Sequence, residues 1–400
     1  EQNTKEQIII RLLISDCIYP LGYPEDSMKV LEDGKKLAEE LRDSRSVADF
    51  HRKIGNYYGT KGNHLLAIKY IEFSLQEIQK IHDFDLMLQI TAELSILYGR
   101  AGQFFGKWSE GIIPTENEEV ERIAPSILKS VESKKVEYDL LVMTAVSYSR
   151  LLSIYGLSLG LLGNFSEAKT YLKKGIFEAT KINDNFVIAI CEFHYGYFLI
   201  FKGDLKPAIE HLQKSIKHYK KAKVIWPLGW TQSVLGYAYY LIGDLDAARE
   251  HAENGLSIQS STKLEAFYPT QHWVLSQIYL DIGNLEKAQS HIQEALQRSQ
   301  KNDERAWEGL SWITLGRILS KTEQPQIGKA KESILKGIEI VEELKLKPYS
   351  AVGYLCMGEL YSDTGQREKA MENLLKANVM FKEMAMDYWL AKTNRVMEKL

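Results

Sequence analysis

Leu235-Gly236-Tyr237-Ala238-Tyr239-Tyr240-Leu241-Ile242-Gly243-Asp244-Leu245-Asp246-Ala247-Ala248 is the most informative stretch of the chain. An apolar-rich run ends at a glycine, an aspartate follows, and an alanine stands five residues beyond the glycine. Gly243 can take the left-handed backbone that ends a helix without Cβ strain. Asp244 can cap the coming helix by accepting an orphan backbone N–H. Ala248 is small, so a second helix can approach the first closely, and Gly236 allows the same approach from the other side. A glycine inside a helix costs about 1 kcal/mol relative to alanine, so its recurrence at one position signals a packing need.

The pattern does recur. Gly163-Asn164-Phe165, Gly203-Asp204-Leu205, Gly243-Asp244-Leu245 and Gly283-Asn284-Leu285 are spaced 40 residues apart, with weaker copies at Gly62-Asn63 and Gly365-Gln366. Ala67, Ala168, Ala208, Ala248, Ala288 and Ala370 follow the turn glycines. Gly55, Gly156, Gly196, Gly236, Gly316 and Gly358 precede the turns. A fixed period of this length marks stacked helical hairpins. About nine units can be counted. Residues 1–83 hold the first two, the first with helices near 5–18 and 27–41. Residues 84–135 hold an interrupted third unit with an insertion at about 104–125, its second helix delayed to 124–135. Residues 136–384 hold units four to nine, the eighth with a longer turn at Glu323-Gln324-Pro325. Residues 385–400 form an extra amphipathic helix, the end cap that a solenoid needs.

The fragments Leu235-Gly236-x-x-Tyr239 then Gly243-Asp244-x-x-x-Ala248, and Met357-Gly358-x-x-Tyr361 then Gly365-x-x-x-x-Ala370, resemble the tetratricopeptide repeat. The usual unit is about 34 residues; 40 leaves helices of roughly 16–18 residues, about 25 Å long. The resemblance implies an all-α, right-handed superhelical solenoid whose first helices line a concave groove. Projecting that phase places Phe193, Tyr197, Trp230, Tyr237, Tyr240, Trp273, Gln277 and Arg317 on the inner wall. Tyr, Trp and Arg are the commonest interface anchors, although the same rings could fill a tightly wound superhelix and touch only each other. His51-Arg52-Lys53-Ile54-Gly55-Asn56 looks like a carboxylate-clamp motif, but the next unit offers Ala92 and Ile96 where polar groups belong. The insertion supplies a second candidate surface, with Trp108, Ile112 and Ile113 beside Glu116, Glu118, Glu119 and Glu121.

A second resemblance rests on Tyr155-Gly156-Leu157-Ser158-Leu159-Gly160-Leu161-Leu162-Gly163 and on Met380-Phe381-Lys382-Glu383-Met384-x-Met386-x-Tyr388-Trp389-Leu390. These phrases are similar to C-terminal arrays of large signalling ATPases, including maltose-regulon-type activators and nucleotidyl cyclases. They imply an array that receives a signal or partner and controls a separate motor or catalytic domain. The start at Glu1 without methionine fits a piece of a longer protein.

Composition narrows the function classes. With 45% hydrophobic and 26% charged residues, the chain sits outside the disordered class. A net charge of -3 gives no basic field for nucleic acid. No apolar run of 18 residues exists to span a membrane. Cys17, Cys191 and Cys356 are scattered, which points to a reducing cytoplasm rather than a disulfide framework or zinc site. No phosphate-loop, H-E-x-x-H or G-x-S-x-G motif is present. The glycines 156, 160 and 163 suit close helix packing. His211 and His218 lie seven apart on one helix, but a metal needs further ligands. Lys214, Lys217, Lys220, Lys221 and Lys223 read as a solvated helix end. The expectation is a non-catalytic array for a protein or peptide partner, with no cofactor, metal, nucleic acid or membrane. A small-molecule sensor with an aromatic-lined pocket is the main alternative, and an enzyme the remote one.

Overall fold

A computed structural model of the chain describes residues 2–18, 23–81, 83, 86–87, 89–91, 93–94, 141–262, 265 and 267–400. Helices run antiparallel in successive hairpins: α1 (Gln2–Ile18) with α2 (Ser27–Glu40), α3 (Ser44–Thr60) with α4 (His64–Ile81), and α5 (Leu141–Leu161) with α6 (Phe165–Ile182). Then come α7 (Asn185–Lys202) with α8 (Leu205–Ala222), α9 (Trp226–Ile242) with α10 (Leu245–Thr262), and α11 (Tyr268–Ile282) with α12 (Leu285–Lys301). The last pairs are α13 (Arg305–Ser320) with α14 (Ile327–Glu343) and α15 (Lys347–Asp363) with α16 (Arg367–Glu383), followed by α17 (Asp387–Met397). Among the described residues there are no strands. The insertion at 104–125 and the delayed helix at 124–135 lie outside the described residues.

The turn chemistry works as its residues suggest. Gly62, Gly163, Gly203, Gly243, Gly283 and Gly365 all have φ between 72° and 90°. The residue after the glycine is less uniform. Asn63, Asp244 and Asn284 accept a backbone N–H of the coming helix. Asn164 and Asp204 make no such cap, and Asp204 instead accepts from Lys202 Nζ at 2.8 Å. A nearby cation competes successfully for that carboxylate.

Small residues set the distance between the helices of a hairpin. A Cβ added at Gly156, Gly236 or Gly316 would stand 2.5–2.9 Å from the carbonyl oxygen of Ala168, Ala248 or Ala330. Gly229 and Gly255 face each other across α9 and α10 in the same way, as do Gly309 and Gly337 across α13 and α14. The 40-residue period also lays one polar pair across each central hairpin: Glu192 with His211, Gln232 with His251, and His272 with His291. His194 is buried against Ser153, whose Oγ lies 2.9 Å from its Nδ1. Burial pushes its pKa down to about 3, so the ring is neutral and can accept the hydroxyl proton.

The superhelix is wound tightly enough for distant turns to meet. The Gly62 turn abuts Asn302, and buried His64 faces Glu304 at 3.4 Å. The Gly163 turn touches Met384 and Lys347, and the Gly203 turn touches Tyr388. The capping helix α17 therefore does more than cover the last hairpin. Trp389 Nε1 donates to the Phe201 carbonyl at 3.0 Å, and Tyr388 Oη donates to the Leu241 carbonyl at 2.8 Å. Those two carbonyls occupy equivalent positions one repeat apart, in the last turns of α7 and α9, where helix carbonyls lack intrahelical partners.

Candidate functional site

The first helices of successive hairpins stand side by side, and the aromatic residues of the projected row form two groups of touching rings along them. Phe193 and Trp230 rings lie 4.3 Å apart, Phe193 and Tyr197 5.8 Å, Tyr237 and Trp273 4.8 Å, and Tyr237 and Tyr240 5.8 Å. Such edge and offset contacts add to burial energy. Much of the row is consequently wall material. Phe193 is 1% exposed, and Trp273 is buried with its Nε1 bonded to Thr314 Oγ1 at 2.9 Å. Tyr197 Oη meets Tyr349 Oη at 3.1 Å across the bore, and burial pushes the pKa of both phenols upward.

Toward the turn end of α9, α11 and α13 the wall becomes polar, with Gln277 buried, Tyr240 and Arg317 partly buried and Asp281 exposed. Gln277 Nε2 donates to Thr314 Oγ1 at 2.9 Å, and Arg317 Nη1 donates to Gln277 Oε1. Arg317 Nη2 lies 3.9 Å from Asp281, whose other carboxylate oxygen accepts from Tyr240 Oη at 2.7 Å. Burial opposes the Arg317 charge, but Tyr240, Cys356, Glu359 and Asp281 around it raise its pKa above the ordinary value. The guanidinium has five N–H donors in a rigid fork, more than these contacts use.

Behind that polar row lies a cavity with about 40 Å³ of enclosed room, or about 520 Å³ when the space out to its open mouth is counted. Tyr197, Phe201, Tyr237, Trp273, Trp307 and Leu310 form one side, and Pro348, Tyr349, Val352, Met386 and Trp389 close the other. The sequence row includes Tyr197, Tyr237 and Trp273 but not Tyr349, Met386 or Trp389. Tyr349 meets Tyr197 across 152 residues of chain, and Trp389 meets Phe201 across 188. Local periodicity carries no signal for such a contact.

The other sequence candidates resolve differently. Arg52 Nη1 and Asn56 Nδ2 both donate to the Glu93 carboxylate, at 2.7 and 3.0 Å. The clamp-like pair thus grips a carboxylate of its own chain; Ala92 and Ile96 lie outside the described residues. His211 pairs with Glu192, and His218 Nδ1 lies 2.9 Å from Asn185 Oδ1. Among the described residues no three histidine, cysteine or carboxylate groups converge as metal ligands. The five lysines of the 214–223 stretch are all exposed. Trp108, Ile112 and Ile113 lie outside the described residues. No helix among the described residues is long and apolar enough to cross a membrane.

Comparison with known proteins agrees with this geometry. A tetratricopeptide repeat family model matches residues 272–302. No curated protein sequence matches the chain. Among solved structures, the Rap conjugation gene regulator of plasmid pLS20 in complex with the Phr* peptide is similar with a TM-score of 0.56 at 14% identity, over 98% of this chain and 97% of that one. A Rap protein complexed with competence and sporulation factor gives 0.54 at 16% identity, over 76% and 80%. The Cut9–Hcn1 hetero-tetramer of the APC/C gives 0.56 at 14% identity, over 93% of this chain but only 61% of that one. At such identities the likeness speaks of fold alone. Glycine turns in phase and alanine-on-glycine hairpins, with one repeat matched by the family model, give this chain the fold of a solenoid of tetratricopeptide-like hairpins with long, 40-residue units.

Proposed function

We propose that the chain is a non-catalytic interaction array that takes a peptide or protein segment along its inner wall, as the regulatory part of a larger cytoplasmic signalling protein. The observation that carries this reading is the polar row Tyr240–Asp281–Arg317–Gln277, which is exposed at Asp281 and partly exposed at Tyr240 and Arg317. It puts a charged fork with spare donors beside aromatic surface on a concave face. Backbone carbonyls and carboxylates of an extended segment are natural partners for such a fork. Two of the similar Rap structures contain a competence and sporulation factor or a Phr* peptide, and that likeness lends the same ligand class to this wall. The resemblance of two phrases to signalling ATPase arrays supports the regulatory setting. The insertion residues Trp108, Ile112 and Ile113 are proposed as a second contact.

A displayed random-peptide library panned against the chain tests the reading and requires no identified partner. Selected peptides should bind saturably, and Arg317→Met should weaken them at least tenfold, because a charged hydrogen bond contributes about 1.5–3 kcal/mol. Circular dichroism should show unchanged helicity. Peptides that bind the substituted chain as well as the native one, or a library that yields no saturable binder, would remove the proposal.

A further inference from the structure

The cavity behind the polar row has one feature that packing does not explain. Thr270, in the first turn of α11, is 1% exposed and lines the cavity, and its Oγ1 has no hydrogen-bond partner. Burying an unpaired hydroxyl is unfavourable, and a valine would fill the same space without that penalty. The remaining lining defines the missing partner. Seven of the fifteen lining residues are aromatic, Tyr237, Trp273, Tyr349 and Trp389 among them, and none of the fifteen is charged. A charged ligand group would lose its hydration with no counter-charge to meet it, whereas a flat, neutral ring finds edges and faces on every side.

We propose that this cavity is a binding site for a small neutral ring bearing a single hydroxyl, a phenol-type group whose hydroxyl pairs with Thr270. The ring arrives as a free small molecule or as a tyrosine side chain of a bound segment. The site borders the wall assigned above to a peptide, but its test needs no peptide, so either reading can fail alone.

Calorimetric titration of the whole chain with p-cresol, and with toluene as the ring lacking the hydroxyl, reads the site. p-Cresol should bind saturably. Thr270→Val should weaken it roughly five- to tenfold, the effect of one buried hydrogen bond, and leave toluene unchanged. The same variant should melt at or slightly above the native temperature, because an unpaired buried hydroxyl is gone. That combination of higher stability and weaker binding is not what a structural defect produces. Val352→Phe, filling the cavity from α15, should abolish binding of both probes. N-acetyltyrosinamide separates the sources. If it binds in the same Thr270-dependent way, a polypeptide side chain can reach the site; if only p-cresol does, the site takes free molecules. Failure of p-cresol to saturate, p-cresol affinity unchanged by Thr270→Val, or binding that survives Val352→Phe in a folded chain would each overturn the assignment.

Discussion

Trp389→Ala should cost about 3–5 kcal/mol, the range for removing a buried tryptophan, and should loosen the superhelix as well as its end. Trp389 is 5% exposed, stacks near Phe381, meets Tyr388 edge to face, and donates its Nε1 hydrogen to the Phe201 carbonyl 188 residues away. Truncation leaves that carbonyl unpaired and opens one wall of the bore cavity. In an ordinary solenoid each repeat touches only its neighbours, so damage at a terminal unit stays local. Here α17 bridges to α7 and α9, and its loss should be felt as far away as those helices. Urea unfolding should show the full decrease, and small-angle scattering should show a larger radius of gyration before unfolding begins. Trp312→Ala is the control. Trp312 is half-buried and pairs within its own hairpin, with Lys336 Nζ 3.9 Å from its ring centroid and Glu308 3.4 Å from its Nε1, and its removal should cost much less. Equal losses for the two would deny α17 any clasping role.

Gly236→Val should be at least as damaging locally, for a different reason. A Cβ there would stand 2.7 Å from the Ala248 carbonyl oxygen and 2.9 Å from the Ala252 nitrogen. Both are backbone atoms of a packed helix and cannot rotate away, so α9 and α10 must separate. Overpacking costs typically about 1–3 kcal/mol and more where backbone must move; with the β-branched side chain added, a loss of about 3 kcal/mol or more is expected. Gly328→Ala gives the matched opposite. Nothing lies within 4 Å of a Cβ at Gly328, so the gain in helix propensity, up to about 0.5–1 kcal/mol, should appear as stabilisation. Thermal melts of the two variants should move in opposite directions. Movement in the same direction would mean that the small residues do not set the hairpin spacing.

The hairpin architecture is legible in the sequence because it depends on local chemistry repeated in register. A left-handed glycine, a small residue on each helix and an apolar run are all visible within one short stretch, as at 235–248. The ring contacts along the first helices are legible to the same extent, since helical phase alone brings Phe193 to Trp230 and Tyr237 to Trp273. How tightly the ribbon winds is not legible. Winding depends on small rotations between units, and the residues that reveal it, Tyr349, Tyr388 and Trp389, meet partners 147 to 188 residues away along the chain. Tyr388 and Trp389 belong to a phrase that resembles signalling ATPase arrays, yet nothing in that phrase says that their donors reach Leu241 and Phe201. Thr270 is equally silent, since a threonine in the first turn of a helix is ordinary until its hydroxyl is found buried without a partner. The periodic pairs 192/211, 232/251 and 272/291 are accessible from their spacing alone, 19 residues within a unit and 40 between units.

Whether the chain works by holding a segment against its inner helices can be read from amide hydrogen exchange, measured with and without a peptide selected from the displayed library. Added protection should concentrate in α9, α11 and α13, the helices that carry Tyr240, Asp281, Gln277 and Arg317. Protection confined to the outer helices α10, α12 and α14 would contradict the inner-wall reading.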